Sequence, residues 1–394
     1  MKKLLVLCLC ILLVFPFAAC GNSTSAAPGG ASAAASTPDA GTPPASEPAA
    51  PAGAVEPGSK GSFEFIIGAG HSPTGFAYVS CASDAFEPEV IKRAAELGYT
   101  VSFTEGFGGT IAPLADVLEA TETGLLDIGL MAAVFEPVKA QVLNYTNYMP
   151  FGIPEIDKTY QVAKKVYQAN QEAIDNHFEG FNVKILGLGG ASASYHIISQ
   201  WEIKGVDDLK GHKIAAAGAN LGLLSNTGGV GVQSNLNEAY TSLQTGVYES
   251  WIIYANGAAG YKLYEVAPYY LKADFGCTAA TAMIMNMDKW NTLPEDLQQV
   301  MLDVGFEVYG PACVARAQEE EKLAFEMMEE NGTTITQITD EEREKWVNLI
   351  DDPAVTAIEE LEAAGLPGKK IFTEFYEFAA EVGYDAPRRF GQPE

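Results

Sequence analysis

A chain of 394 residues with 47% hydrophobic and 19% charged residues can bury the cores of two ordinary domains. Its 24 Lys+Arg against 51 Asp+Glu leave a net charge of −27, a surface that repels phosphate backbones and anionic lipid, so nucleic-acid and electrostatic membrane binding are disfavoured. Small disulfide-rich, fibrous and polytopic membrane classes are excluded on composition.

Lys2 and Lys3 precede an apolar run from Leu4 to Ala19. A charged start followed by so short an apolar run reads as an export signal, not a membrane span. The run ends Phe17-Ala18-Ala19-Cys20-Gly21, which resembles a bacterial lipobox, although Phe17 is bulkier than usual there. Residues 1–19 are then removed and Cys20 carries lipid; a plain secretory signal is the alternative. Residues 21–60 are dominated by Ala, Pro, Gly, Ser and Thr and hold no aromatic side chain. Such a segment buries too little to offset ordering entropy and reads as a tether spanning about 35 Å. The expectation is an extracytoplasmic protein held at the cell membrane only by the lipid on Cys20.

The folded part starts near residue 61. Phe63 to Ile67 reads as a strand entering Gly68-Ala69-Gly70-His71. Phe86 to Leu97 has helical periodicity, Thr100 to Phe103 looks like a second strand, and Gly108-Gly109-Thr110 is expected to open a helix through Ala120. Leu125 to Met131 and Asn182 to Leu188 read as buried strands on either side of an amphipathic helix from Lys158 to Asn176. Glu238 to Leu243 is helical, Gly246 to Ile253 turns into a strand, and Ala280 to Asn286 is a strand. Thr292-Leu293-Pro294-Glu295 reads as a capping box opening a helix to about Glu330, with Gly305, Gly310 and Pro311 as bending points. A helix that long can lie across two lobes. Thr339 with Glu342 is a second capping box. Strands alternating with helices predict a mostly parallel α/β architecture.

Catalytic signatures are absent: no His-Glu-x-x-His, Gly-x-Ser-x-Gly, Walker loop or Cys-x-x-Cys occurs. No cofactor or metal is expected. Cys81, Cys277 and Cys313 have no metal-type spacing; three cysteines allow at most one disulfide, and buried free thiols are the favoured reading. His177 and His212 look like surface or turn residues, whereas His71 ends a strand, where open α/β sheets bind ligands. The acidic run Glu319 to Glu321 reads as a solvated helix face.

Trp201 to Gly211 reads W-E-I-K-G-V-D-D-L-K-G and continues H-K-I-A-A-A-G. N-E-A-Y-T-S-L-Q-T-G follows at Asn237, Y-K-L-Y-E-V-A-P-Y at Tyr261 and M-N-M-D-K-W-N-T-L-P-E-D-L at Met285. With G-L-L-D-I-G-L at Gly124 and M-P-F at Met149, these resemble the solute-binding subunits of TRAP transporters, the DctP-like family, over about residues 61–385. The resemblance implies a two-lobe, type II periplasmic-binding-protein-like α/β fold with hinge strands and a long helix spanning both lobes. It implies lobes of 61–190 plus 279–318 and of 191–278 plus 319–394. A small organic solute would be held in the interlobe cleft and delivered to small and large TRAP membrane subunits, without chemistry.

The departures from the family pattern bear on the solute. The Arg that usually follows D-L-K-G-x-K-I and clamps a solute carboxylate is Ala215 here, and the usual Asn after the E-x-Y helix is Ile253. A basic residue is common about twenty positions earlier, where Ser194-Tyr195-His196 stands. A neutral, zwitterionic, aromatic or apolar solute is therefore expected, unless Lys139, Lys262 or Lys272 supplies the cation. Candidate pocket residues are His71, Phe76, Phe107, Met131, Phe135, Tyr195, Ala215, Leu236, Trp251 and Tyr254; Trp251 occupies a cleft-lining position of the family. Glu238 and Tyr240 read as helix-positioning. Alternatives are a lipoprotein of an ABC importer or sensory receptor, and an enzyme using His71 with Glu249.

Overall fold

The computed structural model describes residue 56 and residues 58–392, so Cys20, the signal 1–19 and the tether as far as residue 55 lie outside the described residues. In chain order the strands are β1 (Gly61–Ala69), β2 (Tyr99–Gly106), β3 (Ile128–Ala132), β4 (Val183–Leu188), β5 (His196–Ser199) and β6 (Lys213–Ala216). They continue as β7 (Val230–Gln233), β8 (Ser250–Ile253), β9 (Tyr269–Lys272), β10 (Thr281–Asn286) and β11 (Thr334–Gln337). One sheet has the order β2-β1-β3-β10-β4, the other β11-β9-β5-β8-β6-β7. In the first, β10 runs antiparallel to β3 and β4 while β1 is parallel to β2 and β3. In the second, β5 runs antiparallel to β8 and β9 and the other pairs are parallel. The result is a two-lobe α/β protein, one sheet per lobe. No helix among the described residues is long and apolar enough to cross a membrane.

The antiparallel strands β5 and β10 each take the chain into the opposite sheet. Their leaders, 189–195 and 273–280, run side by side: Ser192 N donates to Thr278 O at 2.8 Å and Phe275 N to Tyr195 O at 3.0 Å. Gly276 in this pair has φ +105°, and a Cβ on it would sit 2.8 Å from Gly152 N, an approach only glycine allows.

The long helical run is one path in three pieces: Glu295–Val304, a wider π turn Gly305–Tyr309, and Gly310–Glu330. Tyr309 and Cys313 pack in the core behind the first sheet, Val314 and Ala317 in the central core, and Ala324 and Met328 in the core of the second. The helix therefore spans both lobes.

Several local expectations are corrected. Gly108 and Gly109 have φ +69° and +76°, which no helix tolerates, so the helix begins at Val117 after a turn. The 158–176 helix is two, Ile156–Ala169 and Gln171–Glu179, broken where Asn170 Nδ2 donates to Val166 O at 2.9 Å and Glu374 Oε2 at 2.6 Å. Thr292 does not cap: its hydroxyl donates to Lys289 O at 2.7 Å, and the helix starts after Pro294. Thr339 does cap, accepting from Glu342 N at 3.3 Å, while Glu342 reaches away to accept from Val206 N. The last helices, Ala354–Ala363 and Gly368–Glu381, lie against residues 141–148 and helix Ile156–Ala169, with Lys165 paired to Glu381 at 2.6 Å.

Candidate functional site

Parallel strands bring their carboxyl ends to one edge, where backbone groups and loop side chains are free to meet a ligand. The ends of β1, β3, β6 and β8 converge with the crossing segments on a cavity of about 330 Å³. The loop after β1 supplies His71 and Phe76, stacked at 3.7 Å with their planes 7° apart. Phe135, after β3, stands edge-on to His71 at 5.8 Å. The opposite wall is Leu236, Trp251 and Tyr254, with Tyr195 of the crossing segment set edge-on to Tyr254 at 5.4 Å. A second cavity of about 300 Å³ lies beyond Tyr195 and Asn220, which line both.

Three of the expected residues fall elsewhere. Met131 is 1% exposed and packs in the central core, because its side chain alternates away from the cavity that its neighbour Ala132 lines. Ala215 is fully buried in β6 opposite Trp251, among Ala239 and Leu243; two residues on, Ala217 reaches the cavity. Phe107 packs on the core behind the first sheet instead of lining the cavity.

The polar lining was not legible in the motifs. Tyr78 shares a 2.7 Å hydrogen bond with His71 Nδ1. Ser192 Oγ lies 2.9 Å from Thr278 Oγ1 and accepts from Thr278 N at 3.1 Å, tying the crossing segments together. Asn147, Asn220, Asn256 and Thr281 add amides and a hydroxyl. Glu320, in the run expected to be solvated, also faces this cavity. Burial raises its carboxyl, against a smaller opposing pull from Arg316. Burial lowers His71 to about 4, so the imidazole is neutral at pH 7. Glu320 and His71 are the only acidic or basic side chains in this lining, which contains no Lys or Arg.

The candidate substitute lysines are not there. Lys139 pairs with Glu122 at 2.7 Å, Lys272 lies 4.8 Å from the centre of the Phe325 ring, and Lys262 lines neither this cavity nor the second. Glu249 pairs with His212 at 3.2 Å, outside the cavity, so it has no part with His71. His212 stacks on Trp201 at 4.0 Å, His177 Nε2 bonds the Lys139 carbonyl, and Tyr240 donates to Glu265 at 2.9 Å. Cys81, Cys277 and Cys313 are buried free thiols. Among the described residues no group of three or more His, Cys, Asp or Glu is placed to hold a metal.

His196, at the mouth of β5, is 1% exposed, and burial with the Lys272 charge lowers it to about 3. Its Nδ1 accepts from Asp274 N at 3.2 Å, with the Asp274 carboxylate 3.8 Å away. An unfolded imidazole titrates near 6.5, so below that pH the unfolded chain binds a proton that the folded one refuses. Stability therefore falls on acidification from about 6.5, and this group accounts for about 2 kcal/mol between pH 7 and 5. Urea midpoints across that range should fall less steeply in His196→Gln; parallel slopes would refute the assignment.

A profile described as bacterial extracellular solute-binding protein, family 7, matches residues 108–358. The chain belongs to this DctP-like family. The family is one of solute-binding proteins, not enzymes. A solute-binding protein of Sulfitobacter sp. strain NAS-14.1 is 28% identical over 204 residues, 51% of this chain and 60% of that protein. A monocarboxylate 2-oxoacid-binding periplasmic protein of Nostoc sp. strain PCC 7120 is 27% identical over 217 residues, 54% of this chain and 58% of that protein. The matches thus span about three fifths of these relatives' own length. In fold, the chain is similar to an open complex of a TRAP periplasmic solute-binding protein from Desulfovibrio salexigens, with TM-score 0.73 and 20% identity. That likeness covers 82% of this chain and 97% of the other.

Proposed function

We propose that this protein is the extracytoplasmic solute-capturing subunit of a TRAP-type secondary transporter. It holds a small organic solute between its lobes and presents it to small and large membrane subunits, itself anchored through lipid on Cys20. The observation that carries the reading is the cavity shared by both sheets and by the segments that cross between them. Closure about those segments removes solute and ring walls from water together, which is how hinge-closing binders gain affinity.

The solute of this reading is neutral, zwitterionic, aromatic or apolar, not a small carboxylate anion. Ala215 and Ile253 stand where the family places Arg and Asn, and no Lys or Arg lines the cavity. A carboxylate closed into such a site without a charge partner costs several kcal/mol. The Nostoc relative, by its description, binds 2-oxoacids; that chemistry is a direct competitor.

A thermal-shift screen of the purified protein against a broad metabolite library tests both points. A ligand at about 100 times its dissociation constant stabilises by roughly 2.7 kcal/mol. Neutral, zwitterionic, aromatic or apolar compounds should give that shift. A 2-oxoacid or C4-dicarboxylate as the strongest hit would overturn the solute class and leave capture intact; no hit at all would overturn capture.

A further inference from the structure

We propose that the cavity selects a solute carrying a single cationic amine on an aromatic or apolar body, with the ammonium at Glu320 and the body between the ring walls. The inference rests on the reading that this cleft takes a solute, and adds the sign of its charge.

Glu320 is the only acidic side chain in a lining that contains no Lys or Arg. On its own helix, Arg316 pairs with Asp84 at 2.6 Å and Lys322 with Glu319 and Glu326, and Glu320 makes no ion pair among the described residues. Burying a carboxylate without a partner is costly unless something positive arrives. The neighbouring groups are polar and uncharged. Asn256 lines the same cavity, and its Oδ1 is buried without a hydrogen-bond donor. It sits on helix Ala255–Gly260, which packs against the helix carrying Glu320. Tyr254, two residues before Asn256, lies close enough to feel the Glu320 charge. The lining thus includes a carboxylate, a carboxamide and a phenol.

The rest is rings. The His71–Phe76 stack with Phe135 on one side, and Tyr195 with Tyr254 on the other, present aromatic faces and edges. Ring faces attract ammonium groups, whereas a carboxylate gains nothing from them and is repelled by Glu320. A cavity of about 330 Å³ is at the small end of ligand sites and suits one ring with a short side arm.

Three probes with one ring and different heads separate the possibilities: 2-phenylethylamine, 2-phenylethanol and phenylacetate, titrated calorimetrically into the full chain. The amine should bind at least about tenfold tighter than the alcohol, and phenylacetate weakest of all. Glu320→Gln should lose about tenfold or more for the amine and keep the alcohol within about twofold, so the alcohol reports that the variant is folded with its cavity intact. Phenylacetate binding tighter than the amine, or Glu320→Gln leaving the amine unchanged, overturns the inference and leaves solute capture standing. No binding by any of the three, in protein that responds to another library compound, overturns it as well. Protein that responds to no compound at all overturns both.

Discussion

Replacing Trp346 with Ala will lower the unfolding free energy by about 3–5 kcal/mol. The indole is fully buried, and its Nε1 donates to Leu223 O at 2.8 Å. It meets Phe275 edge-on at 5.0 Å and Phe151 at 6.2 Å, and those two rings meet each other at 5.2 Å. Phe275 belongs to a crossing segment, and Phe151 N donates to Phe275 O at 2.7 Å. The substitution removes the floor of this trio and leaves the Leu223 carbonyl without its donor, adding about 1 kcal/mol. Trp346→Phe restores most of the volume but not the N–H, and should cost about 1–2 kcal/mol. Urea unfolding of the three proteins checks the order. A loss below about 1.5 kcal/mol in the Ala variant would mean that the site collapses onto the gap.

Gly305→Ala will destabilise by about 3 kcal/mol, more than an exposed helical Gly→Ala could ever cost, since that exchange normally stabilises. A Cβ at 305 would lie 2.0 Å from the Leu186 carbonyl oxygen, and one at Gly187 would lie 2.5 Å from the Gly305 oxygen. Here the π turn and β4 touch backbone to backbone, and no side chain can swing away to relieve the overlap. The helix must shift outward, and the contacts along its first-sheet side loosen together. The other end of the turn is just as close: a Cβ at Gly310 would meet the Tyr160 hydroxyl at 1.9 Å. Thermal unfolding of Gly305→Ala beside Gly246→Ala separates packing from conformation. Gly246 has φ +73° with nothing near its missing Cβ, so it should cost only about 1 kcal/mol through backbone strain. Equal losses at the two sites would refute the contact argument.

Much of the cavity was legible because strand ends announce themselves. The apolar run of β1 stops at Gly68-Ala69-Gly70, which set His71 and Phe76 at a strand end, while the family resemblance pointed to Trp251 in the cleft; with Tyr254, all of these line the cavity. The short strands β5, β7, β9 and β11 had no such signal. Four residues are too few for alternation to emerge, and their pairing comes from partners far along the chain.

What the amino-acid order determined is therefore the α/β class, the family and the aromatic walls. Tertiary structure decided which neighbours face inward. Met131 and Ala132 are adjacent and apolar, and only the register of β3 against β10 turns the second toward the cavity. Glu319, Glu320 and Glu321 are chemically identical, and the side each presents is set by how the helix lies across the two lobes after its π turn. Asn147, Ser192, Asn220 and Thr278 come from four separate segments that meet only when the sheets are assembled. A local pattern records periodicity. Charge and hydrogen-bonding capacity in a cleft depend on the rotation of whole elements about one another.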